Sequence, residues 1–162
     1  LTEYDGFRPI LRKQRHIWIT QEIRDIFDGT RPSDGFPLAS DLIVGGFISG
    51  FVVNVSRERR PRERHEKIDL EQIVGEDEIW ALCARRPPPG WRFFGRFLDQ
   101  NTLVLLVPFN KSDEGENYGA ACALVQDLWS KIYGARDPHR GTAIGDYISE
   151  PYYDTDDQKI GK

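Results

Sequence analysis

Residues 78–113, EIWALCARRPPPGWRFFGRFLDQNTLVLLVPFNKSD, decide how this chain is read. They set Trp80, Trp91, Phe93, Phe94, Phe97 and Phe109 around Arg85, Arg86, Arg92 and Arg96, and a proline triplet interrupts the run. Consecutive prolines cannot continue a hydrogen-bonded ladder, so EIWALCARR and WRFFGRFL read as two strands joined by PPPG. The DQN at 99–101 is a second tight turn. TLVLLVPF, 102–109, is the near-continuous apolar run expected of a central strand covered on both faces.

Pairing Arg86 with Trp91 across PPPG places Arg85 opposite Arg92, Cys83 opposite Phe94, Ala81 opposite Arg96 and Ile79 opposite Leu98. Side chains alternate with period two, so Trp80, Trp91, Phe93 and Phe97 share a core face. Arg85, Arg92 and Arg96 collect on the other face, with Phe94 between them. Like charges side by side destabilise a bare sheet, so this face requires anions. Carboxylates from the loops are one source; a phosphate held bidentately by guanidinium groups is the other.

Working outward, Ser112 or Asp113 starts a helix, with Asp113 and Glu116 at capping-box spacing. Tyr118, Ala121, Val125, Leu128 and Ile132 recur at helical steps, and Gly134 closes the helix. Upstream, FVVNVS (51–56) reads as a strand. LASDLIVGGFISG (38–50) is ambiguous: Ser40 can cap a helix ending at Gly50, but each internal glycine costs about 1 kcal/mol. Thr20 caps a short helix over QEIRDIFD that ends at Gly29. The expected class is α+β, with an antiparallel sheet (hairpin 78–98 plus central strand 102–109). The expected organisation is an N-terminal extension over 1–37, one core domain over 38–134 and a polar tail over 135–162.

A chain of 162 residues suits one domain, and its 39% hydrophobic and 30% charged content is that of a soluble globular protein. The apolar runs fall short of the roughly 20 residues of a membrane span, and the charged N-terminus shows no signal-peptide pattern. Cys83 and Cys122 lie within apolar runs and read as buried thiols, which favours a reducing, cytoplasmic setting. The three histidines show no zinc spacing, and no metal or cofactor is expected. The net charge of −4 argues against nucleic-acid binding by the whole surface. The charge is unevenly spread, however. Residues 57–67, RERRPRERHEK, carry six basic and three acidic residues, whereas acidic residues gather at 69–78 and 154–157. Arg57, Arg59 and Arg60 are then either part of a solvated connector or an arm that touches phosphates.

The pieces LCARR (82–86), WRFFGRF (91–97), TLVLLVPFNK (102–111) and ENYGAA (116–121) together resemble the RelE/ParE superfamily of bacterial type II toxins. The resemblance covers about a third of the chain. It implies an α+β fold, an antiparallel sheet with helices packed on one face, and metal-free, ribosome-linked mRNA cleavage, in which Arg85, Arg92 and Arg96 stabilise the charge developing on phosphorus. Tyr118 or Lys111 would assist proton transfer, and Trp91 or Phe94 would stack an exposed base. The implied partners are RNA or the ribosome. In the ParE branch the same fold blocks a topoisomerase without cleaving RNA. The competing class is a non-enzymatic module whose arginine-lined sheet face binds an acidic protein such as an antitoxin. The chain's own YYDTDDQ (152–158) is a further candidate for that groove, as an intramolecular lid.

Overall fold

Ala84 pairs with Trp91 and Cys83 with Arg92, so the hairpin around the prolines is two residues out of the expected register. Gly90 explains the shift. Its φ is 89°, and a Cβ there would lie 2.4 Å from the carbonyl oxygen of Ala84. The last rung of the ladder is thus Ala84 with Trp91. A slip of two residues preserves the faces, whereas a slip of one would exchange them.

The computed structural model describes residues 1–6, 12–29, 41–58, 67–85, 90–114 and 117–157. Its strands are β1 (Thr2–Glu3), β2 (His16–Ile19), β3 (Val53–Ser56), β4 (Leu70–Gln72), β5 (Trp80–Ala84), β6 (Trp91–Asp99), β7 (Thr102–Asn110) and β8 (Tyr152–Asp154). They form one sheet in the order β1-β2-β7-β6-β5-β4-β3-β8. The expected antiparallel sheet is thereby corrected to a mixed one. β4 through β7 run antiparallel, but β2 pairs parallel with β7, and β3 pairs parallel with both β4 and β8. Parallel neighbours must come from distant segments, so no tight turn announces them in the sequence.

Helices cover both faces, which corrects the one-sided arrangement as well. On the first face lie α1 (Gln21–Phe27) and α2 (Gly46–Ser49), the latter entered through a π-helical turn at Asp41–Gly45. α1 is capped by Thr20, whose hydroxyl accepts from Ile23 N at 3.3 Å, and its Phe27 ring packs edge-on against Phe93. On the second face, after the short α3 (Lys111–Glu114), lies α4 (Gly119–Tyr133), which closes at Gly134. α4 buries Ala121, Cys122, Val125 and Trp129, while Ile132 stays 43% exposed. Its apolar stripe is thus rotated from the expected one. The expected caps Ser40 and Glu116 lie outside the described residues.

The two cores meet at β6 and β7. Phe93, Phe97, Leu103 and Leu105 point into the first core, and Phe94, Val104, Leu106 and Val107 into the second. Leu106 and Val107 share a face because the β6/β7 register shifts between Phe94 and Gly95, a bulge that inserts one residue. The supposed extension and tail are integral to this body. Ile17, Ile19, Ile23 and Phe27 enter the first core from one end of the chain; Ile144, Tyr147 and Ile148 enter from the other. The last three belong to or follow α5 (Ile144–Tyr147), just before β8.

Candidate functional site

Each of the three hairpin arginines that the structure describes faces a carboxylate. Arg85 Nη2 donates to Asp69 Oδ1 at 2.9 Å, Arg92 Nε stands 4.0 Å from Glu71 Oε1, and Arg96 Nη2 stands 3.6 Å from Asp77 Oδ2. β4 and the loops beside it supply all three acids, because β4 lies next to β5 and the β4–β5 loop reaches Arg96. Asp69 is held firmly: its carboxylate also accepts from the backbone and side-chain amides of Asn54, its N–H donates to Asn54 O, and its carbonyl accepts from Cys83 N. The choice left open between carboxylate and phosphate thus falls, for these groups, on the protein's own carboxylates.

Burial on this face is deepest at Arg96, while Arg85 and Arg92 are partly buried. Arg96 is 5% exposed, with its guanidinium 5.7 Å from the centre of the Trp129 ring. Burial lowers its pKa, against the pull of Asp77. Burial acts to lower the Arg92 guanidinium too, but Cys83, Tyr118 and Glu71 outweigh it and the group is raised. The Nε atoms of Arg85, Arg92 and Arg96 are buried without hydrogen-bond partners among the described residues.

The sequence-predicted residues do not gather in one place. Arg92 and Tyr118 come together, and Lys111 stands at the same end of the sheet, where its N–H donates to Gly90 O. Arg96 is four residues further along β6, about 13 Å away at strand spacing. Trp91 and Phe94 cannot stack a base. Trp91 is 6% exposed and stacked on Phe93, and Phe94 is fully buried between Phe109 and Tyr118. Arg57 is elsewhere: it donates to Gln72 Oε1 and to the Thr142 carbonyl and lies over the Tyr147 ring. Arg59 and Arg60 lie outside the described residues. The acidic tail is no lid over the arginines. β8 pairs with β3, and Asp156 accepts from Ser56 Oγ, Arg57 N and Glu58 N.

Four features escape sequence reasoning. Tyr147 is fully buried and donates to Glu78 Oε2 at 2.6 Å; burial, then Glu78, pushes its pKa up to about 12. Glu78 holds a φ of 54°, a left-handed conformation uncommon for a side-chain-bearing residue, and nothing in the EDEIW pattern signals it. Arg15 is fully buried. Finally, Phe51 and Val52 are not in the strand that FVVNVS suggests. They stand before β3, 68% and 59% exposed, beside a cavity of about 140 Å³ lined by Ile43, Gly46, Phe47, Val53, Asp69 and Leu82. The signal for the turn is Gly50, whose φ of 80° ends α2.

Surface ion pairs set an acid limit on stability. Arg140 binds Asp77 through both terminal nitrogens and holds its carboxyl below the usual range; His16, followed by Lys13, does the same for Glu3. Carboxyls depressed in the folded state contribute stability that is complete above their unfolded values, about 4, and is lost as pH falls through the folded ones. The melting temperature is therefore expected to hold level between pH ~5 and pH ~8 and to fall below pH ~4. Asp77→Asn should flatten part of that acid limb; an unchanged limb would mean that this pair contributes nothing.

No protein-family model matches the chain, no curated protein matches it, and no solved structure matches it. Among the described residues, no helix is long and apolar enough to cross a membrane, and no His, Cys, Asp or Glu group could hold a metal ion. Cys83 and Cys122 are both buried thiols.

Proposed function

We propose that the chain is a non-enzymatic protein-binding module that makes contact through the Phe51–Val52 turn and the cavity beside it. The observation that carries this reading is the exposure of two adjacent large apolar residues at a concave, mostly apolar surface. Such patches on soluble proteins mark interaction sites more often than isolated exposed side chains do. The turn is also pre-organised: Phe51 N donates to Gly46 O, and the Phe51 ring lies against Gly46, where a Cβ would be 3.5 Å away. A rigid aromatic anchor costs little entropy on binding. The arginine face is less suited to an acidic partner, because its guanidinium groups already have carboxylates. A cytoplasmic setting is consistent with the two buried thiols.

The test is stoichiometric capture by the tagged chain, followed by calorimetry with the purified partner. Phe51→Asp and Val52→Asp should each weaken binding at least about tenfold. Both residues are exposed, so the melting temperature should stay nearly constant. Equal retention of every partner by wild type and both variants would remove the surface from the proposal. The ribonuclease reading keeps one observation in its favour, the meeting of Arg92 with Tyr118. It requires mRNA to be cut when the chain is expressed alone. Intact mRNA and undisturbed translation at high expression would end it.

A further inference from the structure

Arg15 precedes β2 and is completely buried, yet no carboxylate stands within ion-pair distance of it among the described residues. Its guanidinium is instead ringed by carbonyls. Nη1 donates to Phe47 O at 3.3 Å and Phe51 O at 3.0 Å; Nη2 donates to Ser149 O at 3.0 Å and Pro151 O at 2.8 Å. The ring of Phe47 lies 5.4 Å from the guanidinium carbon. Removing a charge from water without a counter-ion is costly, so the cation persists only while these carbonyls surround it. Burial accordingly lowers its pKa.

The four acceptors belong to two segments that are far apart in sequence. Phe47 lies in α2 and Phe51 just after it, whereas Ser149 and Pro151 lie between α5 and β8. The chain around Arg15 reinforces the first contact, with the amides of Gln14 and Arg15 both donating to Ile48 O. Phe51 O and Pro151 O therefore share one guanidinium, and withdrawing either segment would strand a buried charge.

We infer that Arg15 couples the exposed Phe51–Val52 turn to the Ser149–Pro151 stretch, so that the two open and close as one unit. A guanidinium can do this because its donors are fixed in one plane and can bind two segments at once; an ammonium is a point charge. The coupling does not depend on the binding reading. If both hold, a partner seated on the turn also steadies the start of β8 at the sheet edge.

Hydrogen exchange under increasing urea tests the coupling without any partner. In the wild-type chain, the amides of Gly50 and Phe51 and those of Ile148 and Ser149 are expected to lose protection at one common urea concentration, below that for β6 and β7. Arg15→Met should raise exchange about tenfold or more in both segments, as expected for losing charged hydrogen bonds, and leave β6 and β7 unchanged. Arg15→Lys should restore only part of the protection. Opening of the two segments at different urea concentrations in the wild type overturns the coupling, and it does so even if Arg15→Met fails to fold. A folded Arg15→Met chain in which only one segment moves, or neither, overturns it as well.

Discussion

Gly95→Ala is expected to leave the chain unfolded or to cost at least about 4 kcal/mol, the upper end of what single substitutions do. Gly95 sits in the middle of β6, at the bulge opposite Leu105. An alanine Cβ there would lie 1.8 Å from Val104 O, 2.7 Å from Val104 C and 2.9 Å from Leu105 Cα. All three are backbone atoms of β7, so no side-chain rotation relieves the overlap. Relief would require separating the two longest strands, which carry Phe93, Phe97, Leu103 and Leu105 into the first core. Urea unfolding measures the effect. The control is Gly119→Ala at the start of α4, where the nearest atom is a side-chain oxygen at 3.4 Å. There alanine should be neutral or stabilising by up to about 1 kcal/mol, since it favours helix over glycine. A Gly95→Ala chain that melts close to wild type would mean that the bulge is misplaced.

Arg92→Ala is expected to cost about 3 kcal/mol, because it removes a mostly buried guanidinium that stands beside Glu71 and Tyr118. Glu71 is only 8% exposed and faces Arg92 across β5. Replacing both, as Arg92→Met with Glu71→Gln, should recover part of the loss, since the uncharged pair no longer carries the desolvation cost. The comparison is a double-mutant cycle on unfolding free energy. Simple additivity of the two single changes would show that the pair is not coupled. An exposed arginine, as the sequence pattern alone places it, would instead cost within about 0.5 kcal/mol. The same substitution thus separates an open anion site from a closed ion pair.

Much of the central hairpin is legible in the order of its residues. Alternation along WRFFGRFL assigns Phe93 and Phe97 to one face and Arg92, Phe94 and Arg96 to the other. The two-residue error in register leaves this assignment intact because the period of a strand is two. Thr20, Gly29 and Gly134 mark helix ends correctly, since caps act within one turn of chain. The near-continuous apolar run of β7 already implies cover on both sides, and the helices supply it. The expectation of helices on one face follows instead from the resemblance and conflicts with that run.

The partners of the arginines are not legible. Asp69, Glu71 and Asp77 are acidic residues in an acidic stretch, and nothing local tells a solvated carboxylate from one aimed at a neighbouring strand. Arg15 gives no local signal either, because a lone arginine before a short strand looks like a surface residue; only the meeting of α2 with the stretch before β8 encloses it. The expected tail becomes an edge strand for the same reason, as β8 exists only through its pairing with β3.

Neighbouring residues dictate the strand faces, the turns, the helix ends and the apolar surfaces of β6 and β7. The parallel pairings, the carboxylates beside the arginines, and the exposure of Phe51 and Val52 arise only when distant segments meet. Local features follow from torsional preference and side-chain period, which act over a few residues. Parallel ladders and buried ion pairs join distant segments, and the free energy that selects them arises only when both segments leave water together.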